Sequence, residues 1–156
     1  MPNTKAVGVA YADPEFESVT VSGAVTVSGA VTVSGAVTAA SVAASSELGY
    51  TATAQGTVTQ LTDKSTAVTL NKSAGQIVMN AATLNTLTNV TFTLNNSLIS
   101  AKDVTILNVA AGATAAAYNC WISSKATGSC TITVRNISGG NLSEAITINF
   151  AIIHCA

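Results

Sequence analysis

The sequence predicts an all-β chain: an antiparallel β-sandwich, jelly-roll-like, preceded by an N-terminal arm and a short β stalk built from a repeat, the whole assembled as a trimer. Three observations carry this. Val-Thr-Val-Ser-Gly-Ala recurs three times between Val19 and Ala36. Downstream, short segments alternate apolar and polar residues with the period of a half-buried strand. Clusters of Gly, Ser, Asn and Ala separate those segments as turns do. The texture divides the chain into an attachment arm (1–18), the repeat with its alanine-rich continuation (19–48) and the sandwich (49–156), which holds nearly all the large apolar residues.

The arm contains three of the seven acidic residues, Asp13, Glu15 and Glu17, and both prolines. Its candidate attachment residues are Lys5, Val7, Val9, Tyr11, Asp13 and Phe16. It lacks the apolar block of a signal peptide, so synthesis in the cytoplasm is expected.

In the repeat, Val19, Val21, Gly23, Val25 and Val27 share one parity, continued by Gly29, Val31, Val33, Gly35 and Val37, while Thr, Ser and Ala take the other. One strand of this length would run about 60 Å, far beyond the strands of compact domains, so the ribbon must bend, wrap or join neighbours. Burying its valines within one chain does not offset the backbone entropy of ordering it. Three hexads make only about one coil of a solenoid that needs several. Association of identical ribbons about a threefold axis meets both limits, the glycines admitting close backbone approach. A flexible small-residue linker is the alternative.

Within 49–156, "TAVTLN" and "GQIVMN" flank the turn-rich "NKSAG" and read as a hairpin. "NVTFTLN" places Val90, Phe92 and Leu94 on one face. "SCTITVRNI" turns Cys130, Ile132 and Val134 inward against Thr131, Thr133 and Arg135, and "EAITINFAII" gathers Ile146, Ile148, Phe150 and Ile152. With "DVTILNVA" and "AYNCWIS" the total reaches about seven or eight strands, and only "NAATLNTL" reads as a short helical turn. Strands at this spacing make an antiparallel sandwich.

Charged residues are 8% and aromatic residues 4% of the chain, where soluble proteins carry about 25% charged residues. The surface is therefore mostly Thr, Ser, Asn, Ala and Gly, which suits a chain packed against copies of itself. Six scattered basic residues and a net charge of −1 give no footprint for nucleic acid. No apolar run reaches the roughly 20 residues that span a bilayer, so no membrane partner is expected.

Signals for chemistry are sparse. His154, the only histidine, adjoins Cys155, a pairing that suits a nucleophile with its base or a metal. No carboxylate or third ligand lies near it in sequence, and the alternative is a strand-end histidine at a boundary. Glu47, Asp63, Asp103 and Glu144 are isolated near turns, so acids paired for glycoside hydrolysis would have to converge from distant loops. Cys120, Cys130 and Cys155 read as free thiols, with a Cys120–Cys130 bridge as the alternative. Tyr118 and Trp121 suggest a sugar-stacking platform, but their opposite parity puts one in the core and one on the surface. No enzymatic activity, cofactor or metal is expected.

The opening "MPNTKAVGVAYADPEF", the repeat, "GTVTQLTDKSTAVTLNKSAGQIVMNAATL", "VTFTLNNSLISAKDVTILNV" and the ending "GSCTITVRNISGGNLSEAITINFAII" together resemble small structural proteins of tailed-bacteriophage virions. The likeness spans the chain and is most specific in its C-terminal two thirds. It implies a non-enzymatic, trimeric virion component of head decoration, cement or head-fibre type. A tail fibre needs a substantial anchoring domain and a long shaft; a decoration protein needs an arm to grip the major capsid protein and a domain above it. The implied partners are further copies in a homotrimer and the major capsid protein, and the implied location is the capsid surface. A tail-side fibre or adaptor, or an adhesin making weak host-surface glycan contacts, is the alternative.

Overall fold

The computed structural model describes residues 18–155, and the chain divides into units 1–43 and 44–156. The second unit contains eight strands: β1 (Gln55–Thr59), β2 (Val68–Thr69), β3 (Ala74–Val78), β4 (Asn89–Asn95), β5 (Val104–Ala111), β6 (Tyr118–Ala126), β7 (Ser129–Asn136) and β8 (Thr147–Ile153). They form two four-stranded sheets, ordered β1-β3-β8-β5 and β2-β4-β7-β6. Among the described residues, helix is confined to one 3₁₀ turn, Ala52–Ala54.

Alternation decides which side chains meet. Ile77, Ile148, Phe150 and Ile152 from the first sheet pack into one core with Phe92, Leu94, Ile132 and Val134 from the second, and none is more than 3% exposed. These are the β-branched and aromatic residues that fit a pleated, half-buried surface, and the face assignments expected for β4, β7 and β8 hold. The β6–β7 hairpin turns at Gly128, whose φ of 83° lies in the left-handed region.

Three expectations are corrected. "TAVTLN" and "GQIVMN" do not form a hairpin: β2 lies in the second sheet and β3 in the first. The Leu70 amide continues β2 alongside β4 by donating to Asn95 (3.0 Å), and then the Lys72 amide turns back to Leu70 (3.0 Å). Asn96 Nδ2 holds the Lys72 carbonyl at 2.7 Å, and the chain crosses to the other sheet. Nor is the sandwich wholly antiparallel. Because β1 to β4 alternate between sheets, β1 runs parallel to β3 and β2 parallel to β4, so both sheets are mixed. "NAATLNTL" is not helical either. Leu84 bridges Leu142, and Leu87 turns the chain with φ 55°.

Candidate functional site

The repeat is the most regular surface of the chain. Residues 18–43 carry no strand pairing, and the chain bends at Ser22-Gly23, Ser28-Gly29 and Ser34-Gly35. The bends recur every six residues, in step with the repeat. The leading valine of each hexad, Val19, Val25 and Val31, is 67–68% exposed, and the second, Val21, Val27 and Val33, is 51–53% exposed, with Val37 at 69%. Every stalk residue named from the sequence is thus solvent-facing in a single chain. The arm residues Lys5, Val7, Val9, Tyr11, Asp13 and Phe16 lie outside the described residues.

The sandwich presents two unlike outer faces. On the first sheet Thr57, Gln76, Asn149 and Asn108 form one row across the strands, beside Gln55, Ala74, Ala151 and Ile106. Gln76 Nε2 donates to Asn149 Oδ1 at 3.1 Å. A shallow depression of about 660 Å³ opens on these rows. Val104, Ile106 and Ile153 stand about half exposed beside it. No outward position of this sheet is charged.

The second sheet has the rows Asn89–Arg135–Asn119, Thr91–Thr133–Trp121 and Thr93–Thr131–Ser124. Its hydroxyls bond one another: Thr91 with Thr133 (2.9 Å), Thr133 to Ser123 (2.9 Å) and Ser124 to Thr131 (2.9 Å). A bulge between Ile122 and Ser124 puts both serines on this face. Trp121 is outward, while Tyr118 packs against the core. The Tyr118 hydroxyl is buried, and that burial, with the Glu144 carboxylate beside it, raises its pKa.

The acids are engaged locally rather than with one another. Asp63 accepts from the Ser65 amide (2.8 Å) and hydroxyl (2.7 Å) within its own turn. Glu144 accepts from the Thr114 amide at 3.1 Å and from its hydroxyl. Buried Lys64 donates to the carbonyls of Asn80 (2.6 Å) and Glu144 (2.5 Å), fastening its loop to the ends of two strands. Desolvation lowers its pKa against the pull of Glu144.

Asp103 supplies the carboxylate that the local sequence around His154 lacks, meeting its ring at 2.9 Å from 51 residues away. It is itself 3% exposed and also accepts from the Ser100 amide (2.8 Å), the Ser100 hydroxyl (2.7 Å) and the Cys155 amide (3.1 Å). The His154 ring and the Cys155 amide thus clip the end of β8 to the loop before β5, while the Cys155 thiol faces the Ile153 carbonyl. All three cysteines are free. Cys120 stands opposite Val134 and Cys130 opposite Lys125, which rules out the cross-strand bridge. Burial raises the Cys130 thiol to about 11. Among the described residues no three His, Cys, Asp or Glu side chains converge as a metal site requires.

The Ser100 amide and hydroxyl hold the Asp103 carboxyl well below its ordinary value of 3.8, against opposing desolvation. A depressed folded-state pKa contributes stability that is full above the unfolded value and is lost as pH falls through the folded one. Asp103→Asn is therefore expected to melt lower than the parent at neutral pH. The gap should narrow in melts taken below about pH 3; a gap independent of pH would remove the ionised clip.

The chain matches no protein-family model, no curated protein and no solved structure.

Proposed function

We propose that the chain is a non-enzymatic bacteriophage virion protein, a trimer that decorates or cements the capsid and grips the major capsid protein with its N-terminal arm. The observation that carries this reading is the repeat: seven valines at hexad spacing, between 51% and 69% exposed, with no partner among the described residues. An uncharged ribbon of this kind gains its stability by burying the stripe against identical ribbons, which a threefold axis provides. The uncharged outer face of the first sheet, with Val104, Ile106 and Ile153, supplies a second surface for contact between copies. The antiparallel kernel β3-β8-β5 with β4-β7-β6 supports a jelly-roll-like description of the sandwich. Three arms on one trimer would bind a capsid lattice tightly though each is weak alone, and bridging neighbouring capsomers strengthens the shell.

Light scattering on the full chain and on a truncated chain starting at Gly49 tests the assembly. The expected result is three chains for the first and one for the second. A single chain in both makes the repeat a linker and removes the trimer from the proposal.

A further inference from the structure

The outer face of the second sheet has the composition of a ligand surface rather than of a covered one. Its floor is already satisfied: Thr133 is 4% exposed, shares a hydrogen bond with Thr91 and donates to Ser123. The groups with free capacity are those that project from it. Arg135, the only arginine of the chain, is exposed between Asn89 and Asn119 on the neighbouring strands. Among the described residues its guanidinium has no ion-pair partner. One row away and diagonal to it stands Trp121, 36% exposed. Diagonal cross-strand positions lie about 7 to 8 Å apart, within common reach of long and aromatic side chains.

The geometry points to a binding site for an anionic saccharide, with the sugar ring stacked on the Trp121 indole and its carboxylate held in the Arg135 fork. An indole presents a flat apolar surface beside a polar rim, which suits the mixed character of a pyranose face. A guanidinium matches a carboxylate through two parallel hydrogen bonds. Asn89 and Asn119 flank the fork with amides that both donate and accept, as sugar hydroxyls require. A single cation with no basic neighbours does not serve a nucleic acid backbone. The site stands whether or not the chain belongs to a capsid, because none of its residues is in the repeat.

Trp121 is the only tryptophan, so its emission reads the site directly in the full-length protein. Titration with sialyllactose and with a glucuronate-containing tetrasaccharide is expected to give a saturable change with at least one of them. Lactose should bind at least about tenfold more weakly, and Arg135→Gln should lose a similar factor for the acidic sugar. Arg135→Lys, which keeps the charge without the fork, should fall between. No saturable change with either acidic probe overturns the site, as does equal binding of lactose or an undiminished response in Arg135→Gln with its circular dichroism intact. Emission that shifts with protein concentration in step with the mass shows that a second copy covers Trp121, and also overturns it.

Discussion

Gly29→Leu is expected to convert the proposed trimer into single chains while leaving the melting of the sandwich unchanged. Among the described residues of its own chain the substitution meets no obstacle. A Cβ built at Gly23, Gly29 or Gly35 has nothing within 4 Å, and none of the three is among the glycines with positive φ. On the proposed assembly, a loss would come from a neighbouring ribbon. Overpacking a close contact costs about 1 to 3 kcal/mol for each copy, and the proposed threefold axis would bring three copies of Gly29 to one level. Gly29→Ala should weaken assembly less, because one methyl intrudes less than an isobutyl group. The measurement is mass against concentration by light scattering, with thermal melts alongside. A Gly29→Leu protein that keeps the trimer mass would show that the ribbons do not approach closely at their glycines. Loss of the sandwich melt together with the mass would mean that the repeat supports the fold of the second unit.

Facing was legible in the sequence; partnership was not. Period-two alternation assigns each residue of β4, β7 and β8 to the core or the surface because a strand has only two sides. It is silent on which sheet a strand enters, and so β2 and β3, adjacent in sequence, read as a hairpin although they lie in different sheets. β1 carries little signal because its inward positions are Gly56 and Val58, a single large apolar residue. The bulge in β6 defeats parity locally, since beyond it Ser124 faces outward and the Lys125 ammonium reaches the Asp103 carbonyl. The Asp103–His154 pair was invisible for a different reason. Its members join the start of one strand to the end of its antiparallel neighbour, and only the β5–β8 register brings them together. The split of Tyr118 from Trp121 needed nothing beyond parity. The valine stripe was equally plain, and the structure adds that it is exposed in a single chain.

Gly75→Ala is expected to destabilise the sandwich by about 2 to 3 kcal/mol, near the upper range for overpacking, whereas Gly56→Ala, at the paired position on β1, should cost much less. The two glycines face each other in the parallel β1–β3 ladder, and Phe150 of β8 lies opposite Gly75 on the other side. A Cβ on Gly75 would lie 2.4 Å from the Gly56 carbonyl oxygen, 3.0 Å from Leu70 Cδ2 and 3.2 Å from Phe150 Cε1. The first of these is a backbone atom in a strand pairing and cannot rotate away, so β1 must move off the edge of the sheet. A Cβ on Gly56 would meet Leu70 Cδ1 at 3.0 Å and Lys72 Cγ at 3.2 Å, both parts of side chains that can shift. Moving β1 also disturbs Gln60, which follows it and is 2% exposed. Gln60 Nε2 donates to the carbonyls of Lys64 (3.0 Å) and Thr66 (2.9 Å), and its Oε1 accepts from the Asn80 amide (3.1 Å). A buried amide that loses such partners adds its own desolvation penalty. Urea unfolding of the two variants compares the costs, and amide exchange locates them. For Gly75→Ala the β1 amides and the loop at Lys64 should lose protection before β4 and β7 do. Equal costs for the two variants would show that β1 adjusts freely, and that the first sheet is held by β3, β8 and β5 alone.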